Sequence, residues 1–102
     1  MPARVVYREH DEKPDESRYE MVAQRVPPSD EYPDGLKYSF QYMDASGDTL
    51  LRYDNAPYHL DVGRHYRHGP NGDIEPLSFT TLADLIDMFH TEVNEIYARR
   101  TD

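Results

Sequence analysis

The sequence predicts an α+β fold, in which a small antiparallel β-sheet of four to five strands is covered on one face by a C-terminal amphipathic helix. Leu36–Met43 alternates apolar and polar residues, as a strand with one buried face does. Residues 81–99 repeat apolar side chains at three- and four-residue steps, which is the period of a helix with one buried stripe. A chain of 102 residues has the usual size of one domain, so we expect residues 1–102 to form a single unit.

Residues 1–35 are predicted to hold strands joined by acidic loops. Residues 3–9 contain a β-prone run, and residues 10–17, with four acids and a proline, read as a loop. Residues 19–26 alternate weakly and favour a strand, because Pro27 and Pro28 end the pattern abruptly. Residues 29–35 are predicted to be a loop with a turn at its end, since Pro, Asp and Gly follow one another there.

Residues 36–80 are predicted to form a β-meander. Tyr38, Phe40 and Tyr42 share one face of the first strand and are expected in the core. Residues 44–48 have the length and composition of a hairpin connection, and residues 49–54 return as its partner. A further strand is expected at residues 63–68, before the turn at residues 69–72, and residues 74–77 could add a short last one.

The C-terminal helix is expected to lie across the apolar face of the sheet. Thr81 with Asp84 three places later resembles a capping box, and Arg99 and Arg100 complement the helix dipole at the other end. No second helix follows a short turn, so the chain is not expected to be a helix-turn-helix DNA reader. The predicted buried stripe consists of Leu82, Leu85, Ile86, Phe89, Val93, Ile96 and Tyr97.

Composition indicates a folded, very acidic protein. The hydrophobic fraction of 37% is low and the charged fraction of 30% is high, but nine tyrosines supply bulky apolar surface for a core. The net charge is −9, and the cations are nine Arg and only two Lys. Such acid-rich, lysine-poor surfaces resemble those of proteins from salt-loving archaea. Without cysteine, an apolar span or a recognisable signal segment, the chain is expected in the cytoplasm and away from membranes.

Residues 52–68 differ from the rest of the chain, because they carry three Arg and three of the five His against two Asp. Imidazoles transfer protons near neutral pH, and guanidinium forks bind phosphate, which suits RNA cleavage without a cofactor. Tyr53, Tyr58 and Tyr66 could stack on unpaired bases. The acid–base candidates are His59, His65 and His68, and the phosphate-binding candidates are Arg52, Arg64 and Arg67.

Two other interpretations of this segment remain open at this point. The three histidines and Asp54 could bind zinc or another transition metal, but their spacing is not diagnostic, and His65 and His68 would point to opposite faces of a regular strand. Alternatively, Asp54 and Asn55 are turn residues, the histidines pack in a strand and the arginines form surface ion pairs. His10 and His90 lie outside the segment and receive no role.

The same residues carry a resemblance to a known family. Residues 52–59 read Arg-Tyr-Asp-Asn-Ala-Pro-Tyr-His, follow a predicted hairpin, and precede a His-rich strand and a terminal helix. This arrangement, over roughly residues 36–96, resembles the small TumE-type toxins of toxin–antitoxin pairs. The resemblance implies a helix-turn-helix antitoxin as partner and plausible action on RNA.

The leading hypothesis from the sequence is therefore a TumE-like toxin that acts as an RNA-directed nuclease. In this hypothesis Asp54 and Asn55 position the turn and orient a histidine, His65 and His68 are acid–base candidates, and the arginines bind phosphate. The alternative is a non-enzymatic interaction module from a halophilic archaeon, in which the Arg/His segment docks an acidic or phosphorylated partner.

Overall fold

The computed structural model describes residues 4–57, 61 and 63–101, without the side chain of Thr101. These residues form six β-strands and one helix, which confirms the α+β class. The strands are β1 (Arg4–Glu12), β2 (Arg18–Arg25), β3 (Leu36–Met43), β4 (Thr49–Asp54), β5 (Tyr66–His68) and β6 (Ile74–Pro76), and the helix is α1 (Leu82–Thr101).

All six strands belong to one antiparallel sheet, in which they lie side by side in chain order from β1 to β6. The prediction of four to five strands was therefore one short. The two predicted N-terminal strands are members of this sheet, as β1 and β2. β3 and β4 have the predicted bounds, whereas β5 is limited to three residues of the predicted six.

The predicted loop at residues 10–17 was wrong over its first three residues, because β1 continues to Glu12. His10, Asp11 and Glu12 pair with Glu20, Tyr19 and Arg18 across the hairpin. Charged residues are tolerated here because β1 is an edge strand, and these three side chains remain exposed to water. The turn closes with the Lys13 N–H donating to the Ser17 carbonyl oxygen at 2.7 Å.

The core lies between one face of the sheet and α1. Phe40 of β3 and Tyr53 of β4 are cross-strand partners, and their ring centroids lie 5.5 and 5.1 Å from that of Phe89 on the helix. The predicted core residues Tyr38, Phe40 and Tyr42 are all buried. We call this side of the sheet the helix face. The other buried residues of this core are Tyr19, Met21, Ala23, Leu36 and Leu51 on the sheet and Leu85, Val93 and Ile96 on α1.

Local signals at both ends of the helix agree with the prediction. The N–H of Asp84 donates to Thr81 Oγ1 at 3.1 Å, so Thr81 is the N-cap that the sequence indicated. Arg99 and Arg100 occupy the last turn. The described part of the chain contains no helix with the length and hydropathy of a membrane span.

A carboxylate on β1 joins the edge of the sheet to the helix. Glu9 accepts hydrogen bonds from the Tyr19 hydroxyl at 2.6 Å and from His90 Nε2 at 2.9 Å, and Tyr7 donates to it as well. Burial raises the pKa of Glu9, but these three hydrogen bonds outweigh burial and leave the pKa below its ordinary value. His90, which received no role from the sequence, thus ties α1 to the edge of the sheet.

Candidate functional site

The structure divides the predicted site residues between the two faces of the sheet. Directly paired residues of an antiparallel sheet point to the same face, and neighbours along a strand point to opposite faces. Arg67 pairs with Tyr53, whose ring packs on the helix, so Arg67 lies on the helix face. Tyr66 and His68, its two neighbours in β5, therefore point to the other side, which we call the distal face.

Arg52 and His68 meet on the distal face. They are direct partners of β4 and β5, so their side chains leave neighbouring positions of the sheet, with about 5 Å between their Cβ atoms. Both side chains are partly exposed to water. The ring of His68 also lies edge-on to the ring of Tyr66, with 5.5 Å between centroids.

Asp54 holds Arg52 in place from two residues further along β4. Arg52 Nε and Nη2 donate to Asp54 Oδ2 at 3.0 and 2.7 Å, and the Ala56 N–H donates to Asp54 Oδ1 at 2.7 Å. The carboxylate is nearly buried, whereas the guanidinium side chain keeps 40% of its exposure. Asp54 therefore orients Arg52 and starts the turn after β4 at the same time.

A depression of about 370 Å³ opens beside Arg52 and Asp54 on the distal face. Arg52, Asp54, Lys37 and Tyr32 line it, and Lys37 Nζ lies 6.0 Å from the centroid of the Tyr32 ring. Sequence reasoning missed both Lys37 and Tyr32 as site residues. Lys37 could have been found from the polar face of the β3 alternation, but Tyr32 comes from a loop, and its place is decided only by folding.

Asn55 uses its side-chain amide to extend the sheet. Its Oδ1 accepts the Tyr38 N–H at 3.0 Å, and its Nδ2 donates to the Leu36 carbonyl oxygen at 2.7 Å. The side chain replaces a missing residue of β4 beside β3, which explains why the strand ends here without leaving buried backbone groups unpaired. Asn55 thus ties the end of β4 to β3. The roles of Asn55 and Asp54 in positioning the turn for the site and in orienting a histidine stay predictions.

His65 lies apart from His68, on the helix side of the sheet. Its ring stacks on that of Phe79 at 4.4 Å between centroids, and its side chain is only 12% exposed. Its Nδ1 lies 2.9 Å from the Tyr38 hydroxyl, and its Nε2 lies 3.1 Å from Asp34 Oδ2. Burial raises the pKa of Tyr38, so the phenol stays protonated beside the imidazole. His65 therefore connects three segments of the fold.

Arg67 also serves contacts within the protein. Its guanidinium forms an ion pair with Glu92 on α1 and lies 3.3 Å from Glu75 on β6. The hydroxyl of Tyr53 donates to the same Glu92 carboxylate at 2.5 Å. Burial raises the pKa of Glu92, but the hydrogen bonds from Arg67 and Tyr53 outweigh it, and the pKa lies below its ordinary value.

The remaining predicted site residues are Arg64, Tyr66, Tyr58 and His59. Arg64 Nη1 donates to the Asp30 carbonyl oxygen at 2.9 Å and secures the loop before β3. Tyr66 is buried. Its stacking on a base stays a prediction. Tyr58 and His59 lie outside the described residues.

A metal site built from the histidines and Asp54 is not assembled within the described chain. His65 and His68 lie on opposite sides of the sheet, and Asp54 shares the face of His68 only. Among residues 4–57, 61 and 63–101, no three His, Asp or Glu side chains come together in a way that could hold a metal ion.

Comparison with known proteins adds a family assignment. The family model described as Toxin TumE matches residues 3–97, which is nearly the whole chain. Searches of the curated proteins and of the solved structures found no match.

Proposed function

The chain belongs to the TumE toxin family, and from this premise we propose that it is a toxin that cleaves RNA on the distal face of its sheet. Family membership confirms the resemblance seen in the sequence and makes the chain the toxin component of a toxin–antitoxin pair, which implies an antitoxin partner. We propose that this partner is a helix-turn-helix protein and that the toxin acts on RNA in the cytoplasm.

The observation that carries the proposal is the pairing of Arg52 with His68 on adjacent strands. A guanidinium presents parallel N–H donors that match two phosphate oxygens, and it keeps its charge at every physiological pH. An imidazole at the next strand can give or take a proton near neutral pH. Together the two groups supply charge stabilisation and proton transfer at one water-accessible position.

The proposed reaction is transesterification within the RNA backbone. A base removes the proton from a 2′-hydroxyl, and the 2′-oxygen forms a bond to the neighbouring phosphorus. The bond from phosphorus to the 5′-oxygen of the next nucleotide breaks, and an acid returns a proton to that oxygen. The products are a 2′,3′-cyclic phosphate and a 5′-hydroxyl, and Arg52 stabilises the additional negative charge on the phosphate in the transition state.

His68 is proposed to carry one of the two proton transfers. His59, which follows two residues after Pro57 in the sequence, is the candidate for the other. Asp54 acts as a positioning residue, because its carboxylate holds the guanidinium of Arg52 through two hydrogen bonds.

A non-catalytic role is the second candidate, and a specific observation favours it. His65, Arg64 and Arg67 each contact another part of the protein, which leaves a smaller cationic group on the distal face than the sequence indicated. In this alternative, Arg52 and Lys37 bind an anionic partner, and no bond is broken.

The test compares wild type with His68→Ala, Arg52→Ala and the control Arg99→Ala, which removes an equally charged, exposed arginine from the helix. Each protein is expressed without antitoxin, colony counts are recorded, and RNA ends are mapped. We expect wild type and Arg99→Ala to reduce colony counts and to generate cyclic phosphate ends. The two site variants should lose about 10²-fold or more of the cleavage rate.

Thermal melting of each purified variant separates loss of chemistry from loss of folding. Unchanged cleavage in a folded His68→Ala protein contradicts the role of that histidine. RNA that stays intact while wild type still prevents growth favours the non-catalytic alternative.

A further inference from the structure

The strand register places five polar side chains in one line across the distal face. The line begins with His10 of β1 and passes through Glu20 of β2, Gln41 of β3 and Arg52 of β4 to His68 of β5, each residue being the direct partner of the next. We call this line the distal row. Neighbouring strands lie about 4.8 Å apart, so the row spans about 19 Å between the backbones of its two ends.

Two adjacent depressions lie along the distal row between β1 and β4. A depression of about 430 Å³ over β1 to β3 is lined by Arg8, His10, Glu20 and Gln41. The depression beside Arg52 shares Val22 and Ser39 with it, so the two run into each other. A ligand bound at Arg52 and His68 can therefore extend along the row to β1.

The charge of this face differs from the charge of the protein. The strand residues that point to the distal face include four cations and three carboxylates, so their formal charge is +1, whereas the whole chain carries −9. An anionic ligand is therefore repelled less here than at other parts of the surface. The cations are Arg8, Arg18, Lys37 and Arg52, and the carboxylates are Glu12, Glu20 and Asp54.

Glu20 is the acidic member of the row, and its side chain is exposed to water. Glu9 and Glu92 each accept several hydrogen bonds within the fold. The exposed side chain of Glu20, by contrast, makes no hydrogen bond or ion pair with any residue that the structure describes, and the same is true of Arg8 and His10. A carboxylate repels phosphate, so an anionic ligand that lies across Glu20 has to present a different group to it.

We infer that the ligand of the distal row is single-stranded RNA and that Glu20 recognises a guanine base. This inference rests on the proposed function and names its substrate class. Arg52 with His68 at one end, and Arg8 with His10 at the other, contact backbone phosphates on either side of that base. At about 3.4 Å per stacked nucleotide, the row accommodates about six nucleotides, and fewer when the strand is extended.

The chemistry of an ionised carboxylate selects guanine. Its two oxygens only accept hydrogen bonds, and the Watson–Crick edge of guanine offers two parallel donors, N1–H and the N2 amino group. Uracil offers one N–H between two carbonyl oxygens, which repel a carboxylate. Duplex RNA hides these edges in base pairs, so recognition requires an unpaired strand.

The experiment measures binding of 2′-O-methyl hexanucleotides, which cannot be cleaved through the 2′-hydroxyl. One probe has a single guanine in an adenine background. A matched probe carries uracil at that position, a third is a dinucleotide that contains the guanine, and a fourth is the guanine hexanucleotide paired with its complementary strand. We expect the guanine probe to bind at least about tenfold more tightly than the uracil probe, which is the usual discrimination of a bidentate contact. Dinucleotide and duplex should bind more weakly than the guanine hexanucleotide.

Two variants and one control assign the effect to the row. Glu20→Gln keeps the size of the side chain but replaces one acceptor with a donor, so the preference for guanine over uracil should fall by about tenfold. Arg8→Ala should weaken both hexanucleotides alike and leave the dinucleotide unchanged, because it removes a phosphate contact at the far end. Arg99→Ala should change none of these affinities.

The failures of this inference and of the proposed function can be told apart. Equal affinity for guanine and uracil probes, or no effect of Glu20→Gln and Arg8→Ala, overturns the inference even where Arg52→Ala abolishes RNA cleavage. Guanine-selective binding that depends on Glu20, without cleavage of unmodified RNA, supports the inference and contradicts the nuclease. Wild type that binds none of the probes overturns the inference, and cleavage assays then decide the proposed function separately.

Discussion

Arg67 on β5 and Glu92 on α1 form an ion pair that joins the short C-terminal strands to the helix. Both side chains are about four-fifths buried, with exposures of 21% and 19%, and Tyr53 donates to the same carboxylate. β5 has only three residues, and this contact ties it directly to the helix. Arg67 therefore stabilises the fold, and its role in binding phosphate stays a prediction.

The change Glu92→Gln should destabilise the protein by about 1–3 kcal/mol, because the guanidinium loses its charged partner. Since Glu92 has a lowered pKa in the folded state, its contribution to stability is present above the unfolded pKa and is lost as the pH falls through the folded value. Unfolding in urea, measured from pH 7 down to pH 3, should therefore show a smaller loss for the variant than for wild type.

The matched control is Glu95→Gln, which removes an acid with a side-chain exposure of 60% from the same helix. It should change the free energy of unfolding by less than about 0.5 kcal/mol. Parallel pH profiles for wild type and Glu92→Gln would contradict the role given to the ion pair.

The change Asn55→Asp should destabilise strongly at neutral pH, by about 2–4 kcal/mol. It removes the amide donor to the Leu36 carbonyl oxygen and sets a carboxylate against that oxygen in a buried position. The introduced carboxyl group has an unperturbed pKa of about 3.9, and its protonated form can donate to the carbonyl. Burial beside a carbonyl oxygen raises the folded-state pKa of this group above its unfolded value. The difference from wild type in unfolding free energy should therefore shrink as the pH falls from neutral towards about 4, and should level off below that.

Asn71→Asp in the exposed turn before β6 is the control for this change. It should leave the free energy of unfolding within about 0.5 kcal/mol of wild type both at neutral pH and near pH 4. A stability difference for Asn55→Asp that does not change with pH would show that the amide hydrogen bonds are not its cause.

The change Glu16→Gly should stabilise the protein by about 0.5–1 kcal/mol. Glu16 has φ 69° in the turn between β1 and β2, a left-handed conformation that costs a side chain about 1–2 kcal/mol. Glycine avoids this cost, although greater freedom of the unfolded chain offsets part of the gain. The melting temperature should rise by several degrees, and Glu16→Ala, which keeps the strain, should not raise it.

Added salt should increase the stability of this protein. With a net charge of −9, the folded state is destabilised by repulsion among surface carboxylates, and molar salt shortens the screening length to about 3 Å. The melting temperature should rise between low and molar KCl. The double change Asp87→Asn with Glu31→Gln removes two exposed acids and should reduce this rise. A melting temperature that falls with added salt would contradict the adaptation to salt that the composition predicts.

Much of the fold could be predicted because its signals are local. The alternation of Tyr38, Phe40 and Tyr42 depends only on the two-residue repeat of a strand, and these residues are buried as expected. Thr81 caps the helix through the N–H of Asp84, three residues away in sequence. The end of β1 was missed because its charged residues carry no strand signal, and only their pairing with β2 makes them one.

The site could be predicted only in part, for a reason that His65 and His68 illustrate. The sequence put three histidines and three arginines in one segment, and spacing alone could not say which of them share a pocket. Asp34 and Phe79, which contact His65, lie 31 residues before it and 14 residues after it, so no local pattern reports that contact. Arg52 and His68 are brought together by the pairing of β4 with β5.

The sequence by itself determined the elements of this protein and its family: the strand alternations, the capped helix and the residues 52–59 that carry the TumE resemblance. Only the tertiary structure decided which charged side chains stand together, because a shift of one residue in strand pairing moves a side chain to the other face. The observed register places His10, Glu20, Gln41, Arg52 and His68 in one row and turns Arg67 toward the helix. Residues far apart in sequence share that row because five neighbouring strands, rather than one segment, form this surface.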